Sequence, residues 1–378
     1  MINVLYIAHE DGDVMGGSAK SLYNMINALK EDVEPIVAFP VRCKIQDYFI
    51  SKGIRCITLP YRSNITSRGT FGSVIRFIPR YVRDFIARRK ANSMAERMLS
   101  LAKIDIIHTN TSIIDWGAQF AKKHHIAHVW HLREFQDLDF GFRPYLGWGI
   151  LLSMIHSSEA TISITAVIKR HFKLDDRDGA YQFYNAVRSV KDITYSGVKA
   201  PYFMLCGNLT EAKGVKLAIE SFAQFSQKID GYRLLLIGKI DPRYREELVR
   251  RAADLKVGDR VEFLPYAEDI DRYYQEAAGY LMCSPNEAMG RVTVEALFNG
   301  CPVIGYNSGG TKEIIEHGAT GLLFTTAQEC ADAMVAVLDS DMAMRLAKNG
   351  HALVRDSFSE EAYRGSILKV YNDIKEDK

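Results

Sequence analysis

The sequence predicts an α/β protein built as two successive parallel-sheet units. Apolar, β-rich runs alternate with helical patterns, as expected for parallel strands covered by helices. That alternation restarts near residue 200. The 378 residues are too many for one ordinary domain and suit two.

In the first half the expected strands are 3–8, 35–39, 55–59, 104–108, 127–131 and 160–164, with helices between them such as 18–29. In the second half they are 202–206, 233–237, 261–263, 279–283 and 302–306. The helices expected there are 215–225, 243–255, 270–277, 293–298 and 312–316. The polar stretch 189–200 reads as the linker. This gives a first domain over 1–195 and a second over 196–358, with a C-terminal helix in 359–378 that can pack back on the first. Ligands of open α/β sheets bind beyond the carboxyl ends of the strands, so the site should come from the strand-to-helix loops.

Bulk properties narrow the function classes. A net charge of +2 makes the chain no polycation, so any attraction to acidic partners must be local. The six cysteines form no C-x-x-C pair and mostly sit in apolar runs, as reduced thiols do. No signal peptide opens the chain, and no apolar stretch reaches the ~20 residues that span a bilayer. A cytoplasmic protein is expected, with a possible peripheral position at the inner face of the membrane.

Chemistry concentrates in 284–324. Glu287 and Glu295 are separated by seven residues: Ala288, Met289, Gly290, Arg291, Val292, Thr293 and Val294. Gly290 breaks the segment, placing Glu287 on a loop and Glu295 at the start of a helix. One carboxylate can then reach a transferred sugar and the other the ribose of a nucleotide. Backbone amides opening the helix can meet a diphosphate, since helix N-termini favour anions.

This segment resembles the signature of the retaining glycosyltransferase family four, which has the GT-B architecture of two Rossmann-like domains with parallel sheets facing a central cleft. The residues that carry the resemblance are Glu287, Glu295-Ala296, Gly300-Cys301-Pro302-Val303-Ile304, Gly309-Gly310 and Glu313-Ile314. Residues 207–214 (GNLTEAKG) resemble the family's diphosphate-gripping element: Lys213 matches, while Asn208 stands where an arginine is expected. His131, at a strand end, resembles the family's histidine near the donor sugar. Gly16 and Gly17, between a strand and a helix, fit a close phosphate approach. They form no G-x-G-x-x-G element, so no NAD is inferred. Arg133 or Arg291 is a candidate to restore the charge missing at Asn208.

The resemblance implies a transfer from a nucleotide-diphosphate sugar to a glycan or lipid-linked acceptor, in bacterial surface-polysaccharide assembly. Glu287, His131 and Lys213 are the expected catalytic residues. Gly16, Gly17, Asn208, Lys213 and Glu287–Val292 are the expected donor-binding residues, together with Glu295. The donor is a substrate and not a cofactor, and family frequency favours a uridine nucleotide. Two rivals share the fold: a nucleotide-sugar isomerase and a non-catalytic partner subunit.

Three Asp-x-Asp triplets, at 11/13, 137/139 and 269/271, read as loops, and no histidine spacing supports a metal. The basic stretch 62–97 lacks the aromatic interleaving of nucleic-acid modules, so no nucleic-acid partner is expected. Within it a helix starting near Pro79 puts Val82, Phe85 and Ile86 on one face and Arg80, Arg83 and Lys90 on another. The segment 76–90 is therefore a candidate surface for anionic membrane.

Overall fold

The computed structural model describes residues 1–10, 12–13, 15–67, 77–99 and 101–376. It divides into two compact units: Met1–Ala186 with Tyr363–Lys378, and Val187–Ala362. The expected linker 189–200 lies inside the second unit, and the chain returns to the first within its last helix, Glu360–Glu376.

The first unit holds strands β1 (Ile2–Ile7), β2 (Val33–Phe39), β3 (Arg55–Thr58), β4 (Ile65–Ser67), β5 (Ile106–Thr109), β6 (Ala127–Leu132), β7 (Phe142–Pro144), β8 (Ala160–Ser163) and β9 (Ala180–Gln182). Seven form one parallel sheet in the order β3-β2-β1-β5-β6-β8-β9. The chain moves outward from β1 to β3, then returns to the other side of β1 with β5, which makes β1/β5 the switch point. β4 and β7 pair antiparallel as a separate ribbon.

The second unit repeats this plan with β10 (Ala200–Cys206), β11 (Arg233–Ile237), β12 (Val261–Leu264), β13 (Ala277–Met282), β14 (Val303–Tyr306) and β15 (Leu322–Phe324). Its parallel order is β12-β11-β10-β13-β14-β15, with the switch at β10/β13. Helix Val215–Phe225 covers the sheet with Val215, Ala218, Ile219 and Phe222, all buried against Phe203, Leu205 and Leu234. Burying each large apolar side chain contributes about 1.5–3 kcal/mol. Helix Pro242–Asp254 starts where Asp241 accepts from the amides of Arg243 and Tyr244, with Pro242 in its first turn.

The expected strands are all present to within a few residues. The unexpected β4, β7, β9 and β15 have three residues each, too few to show a two-residue period. Helices Ala327–Ala336 and Ser340–Ser357 were also not expected.

Helix Phe77–Met98 corrects the reading of the basic stretch. Arg80 points inward: its Nη2 bonds the carbonyls of Ser63 and Ile65, and its guanidinium lies 4.8 Å from the Tyr145 ring. Asp84 is buried on the same face, and Arg88 reaches Asp115 at 3.2 Å. The apolar residues Tyr81, Val82, Phe85 and Ile86 are exposed instead, beside exposed Arg83, Arg89 and Lys90. Residue 76 of the expected membrane segment lies outside the described residues.

Candidate functional site

In the second unit the two loops flanking the switch point come together. β10 delivers 207–214, and the neighbouring β13 delivers 283–290. Lys213 Nζ donates to Glu287 Oε2 at 2.7 Å, and Ser284 Oγ donates to the Ala212 carbonyl at 3.0 Å. Glycine is required at the crossing. Gly214 has φ +68°, and a Cβ there would lie 2.1 Å from the Cys283 carbonyl oxygen.

A third segment fixes Glu287 from the other side. The Gly310 amide donates to the Glu287 carbonyl at 2.7 Å. Gly309 has φ +57°, and its Cβ would fall 2.6 Å from the same oxygen. The expected Gly309-Gly310 pair therefore lets two backbones touch. The Glu287 side chain is 14% exposed, so it is held yet open to a ligand.

Gly290 is left-handed, with φ +84°, and helix Arg291–Phe298 begins directly after it. Glu295 consequently sits in the second turn and not at the start, which corrects the expectation. Its carboxylate accepts from Arg291 Nε at 3.0 Å, and Arg291 Nη2 donates to the Val187 carbonyl at 3.0 Å. Arg291 is thus already paired. Val292 and Ala288 are partly exposed and Met289 is buried. Asn208 is exposed on its loop, where its backbone carbonyl accepts from Thr210.

In the first unit the strand ends gather a buried polar cluster. His131 lies on β6 and His108 on β5, with His108 Nε2 3.1 Å from His131 Nδ1. His108 Nδ1 is 2.8 Å from the Tyr371 hydroxyl of the last helix, and that hydroxyl is 3.2 Å from Tyr6 Oη. Arg133 Nε donates to Asn110 Oδ1 at 2.9 Å, its Nη1 to Asn185 Oδ1, and its Nη2 is 3.3 Å from His131 Nδ1. Burial, reinforced by the Arg133 charge, holds both imidazoles far below the ordinary histidine range. Both rings are therefore neutral.

Gly16 and Gly17 open helix Gly17–Ala28. A Cβ at either would meet nothing within 4 Å, and Gly16 has an ordinary φ of −73°. The fold does not demand glycine there, which leaves open space.

Sequence reasoning missed His108, Asn110, Asn185 and Tyr371. The signal for His108 was available, because it ends an expected strand as His131 does. Tyr371 carries no such mark. The discounted motifs serve structure: Asp139 accepts from the Phe135 amide at 2.9 Å, and Asp271 binds Arg188. Asp11 lies outside the described residues. His128 bonds Thr109 and Ser158, separately from His131. Among the described residues no cluster could hold a metal ion.

Two parallel sheets with their switch points define an α/β protein of the GT-B fold class, and solved structures agree. The chain aligns over 100% of its length with 99% of Anabaena Alr3699/HepE, a structure in complex with UDP, at TM-score 0.77 and 18% identity. It aligns over 98% of its length with 99% of the lipopolysaccharide outer core galactosyltransferase WaaB, at TM-score 0.71 and 16% identity. Residues 191–353 match the family described as glycosyl transferases group 1. The lipopolysaccharide core biosynthesis glycosyltransferase LpsE of Rhizobium meliloti (strain 1021) is 30% identical over 174 residues, which are 45% of this chain and 49% of LpsE. The N-acetyl-alpha-D-glucosaminyl L-malate synthase of Bacillus anthracis is 27% identical over 173 residues, 45% of each. The chain thus spans about half the length of the curated relatives it matches.

Proposed function

We propose that the protein is a retaining glycosyltransferase that moves a sugar from a nucleotide-diphosphate sugar to a glycan or lipid-linked acceptor. The observation that carries this reading is the Lys213–Glu287 pair, fixed at the carboxyl ends of β10 and β13 by glycine-only backbone contacts. The UDP complex of HepE and the lipopolysaccharide role of LpsE favour a uridine donor and a surface-polysaccharide setting.

The chemistry follows from charge. Glu287 neutralises Lys213 through their 2.7 Å ion pair. A diphosphate competes for that lysine and releases the carboxylate to accept sugar hydroxyl protons. As the anomeric C–O bond to the diphosphate breaks, negative charge grows on the leaving phosphate, where Lys213 and the amides opening helix Arg291–Phe298 stabilise it. The acceptor oxygen bonds the same face of the sugar, and its proton passes to a leaving-phosphate oxygen. Glu295 serves the ribose, and Gly16, Gly17, Asn208 and Ala288–Val292 border the donor.

No helix among the described residues is long and apolar enough to cross a membrane. The exposed Tyr81, Val82, Phe85 and Ile86, flanked by Arg83, Arg89 and Lys90, instead suit a surface that rests on anionic lipid at the inner face of the membrane.

The test is incubation with a panel of nucleotide sugars, measuring nucleotide diphosphate release with and without bacterial glycolipid acceptors. Acceptor-dependent release with retained anomeric configuration is expected. Epimerisation without acceptor identifies the isomerase, and silence across a broad panel points to a partner subunit.

A further inference from the structure

His131 Nδ1 faces two groups, His108 Nε2 at 3.1 Å and Arg133 Nη2 at 3.3 Å. Two neutral imidazoles sharing one hydrogen bond can arrange their protons in either direction, so the histidine pair alone leaves the tautomer open. The guanidinium removes that freedom, because it has donors and no acceptor. A proton on His131 Nδ1 would point at Arg133 N–H groups and at a buried positive charge. Arg133 itself is 6% exposed, bonds only neutral oxygens and the imidazole, and forms no ion pair within 4 Å among the described residues. Glu134 and Glu10 act on its charge from beyond ion-pair distance, while its Nη2 faces the ring directly. His131 Nδ1 must be the bare, accepting nitrogen.

The remaining protons follow. If His131 Nδ1 accepts, His108 Nε2 carries a proton and donates it. His108 Nδ1 then has a lone pair, which the Tyr371 hydroxyl fills at 2.8 Å by turning its proton from Tyr6 Oη, 3.2 Å away, to the imidazole. The chain of bonds ends at His131 Nε2, which is enclosed and makes no hydrogen bond among the described residues. Asn185 lies against the ring, and its Oδ1, which accepts from Arg133, keeps a second lone pair.

We infer that Arg133 and the Tyr371–His108 relay lock His131 in its Nε2–H tautomer, making it a fixed hydrogen-bond donor to a ligand oxygen and not a base. His108 and Tyr371 are positioning residues, and the last helix sets the proton arrangement of the first unit's strand ends. A buried donor whose one neighbouring acceptor, Asn185 Oδ1, is shared with Arg133 is incompletely satisfied, which favours a ligand lone pair such as that of a sugar hydroxyl or a phosphate oxygen. The functional weight rests on the sugar-transfer reading above, while the tautomer itself does not.

The full chain with 15N-labelled histidine tests this by two-bond proton–nitrogen spectra, with His131→Gln and His108→Gln assigning the rings. From pH 5.5 to 8.5 the His131 Nδ1 should be unprotonated and Nε2 protonated. A proton on Nδ1, or a doubly protonated ring in that range, overturns the inference. In Arg133→Met the single tautomer should give way to a mixture, and an unchanged His131 spectrum would show that Arg133 does not set it. Should that variant fail to fold, Tyr371→Phe serves: the His108 Nδ1 resonance must move while His131 keeps its tautomer, and an unmoved Nδ1 removes the relay. In the transfer assay His131→Gln, whose amide still donates, should stay within about tenfold of the parent, while His131→Ala loses about a hundredfold. Equal losses deny the donor role without touching the spectral result.

Discussion

The two units gather polar groups near the carboxyl ends of their parallel strands and hold them by opposite means. In the second unit, backbone holds side chain: Gly214, Gly309 and Gly310 let three loops meet around Glu287, whose carboxylate stays partly open. In the first, side chain holds side chain: His108, His131, Arg133 and Tyr371 are buried and orient one another. A backbone clamp leaves a charged side chain free to exchange partners. A buried side-chain network fixes protons that must not move.

The contrast is broken most directly at Glu287. Glu287→Gln keeps every backbone contact of the loop and removes only the charge. Turnover should fall by a hundredfold or more, about 3–4 kcal/mol of transition-state stabilisation, with an unchanged melting curve. Wild-type turnover in a folded variant would remove Glu287 from the chemistry.

Gly214→Ala tests the clamp itself. It forces a left-handed alanine against the Cys283 carbonyl, and loop displacement plus strain should cost about 3 kcal/mol of stability. Chemical denaturation reads the loss, and a midpoint within error of the parent would show that the loops part easily.

Acid should separate the units. His108 and His131 are held well below the ordinary range, and burial pushes His128 down to about 3. Below pH ~6.5 the unfolded chain therefore binds protons that the folded unit refuses, so stability drops as pH falls. The gross loss is about 1.4 kcal/mol per histidine per pH unit. Asp139, raised by burial to about 6, gains stability over the same fall and offsets part of it. All three tryptophans (Trp116, Trp130 and Trp148) lie in the first unit, so their emission reports on it alone. The urea midpoint by tryptophan emission should fall between pH 7 and pH 5.5. A flat midpoint would contradict the buried, neutral histidines.

The smallest effect per residue concerns the outer face of helix Phe77–Met98. Replacing Arg83, Arg89 and Lys90 with serine should weaken co-sedimentation with anionic vesicles by about 1 kcal/mol per residue at low salt, leaving donor affinity unchanged. Equal sedimentation of variant and parent would show that the exposed apolar residues have another role.

Legibility from sequence follows the same division. Backbone devices leave local marks, and Gly290, Gly309-Gly310 and Lys213-Gly214 stood in a readable order. The side-chain network draws Tyr6, His108, His131, Asn185 and Tyr371 from five distant places, and no local pattern joins them. His131 emerged only through resemblance. Helix Phe77–Met98 departs from expectation at Arg80, which turns inward, for a different reason. Its inner face is made of Asp84, Arg88, Ala91 and Ala95, and the buried Asp84 draws Arg80 to that side, which a division into apolar and cationic faces does not show.

The return of residues 363–378 to the first unit has a consequence during synthesis. The second unit is continuous, so its chain can leave the ribosome and fold as one piece. The first unit must wait. Its strands are made early, but Tyr371 emerges only after the whole of 187–362. Until then His108 lacks its hydroxyl partner, and the nascent first unit carries an unfinished polar centre beneath an uncovered sheet. Translation order thus makes the last helix the step that completes the half of the molecule made first.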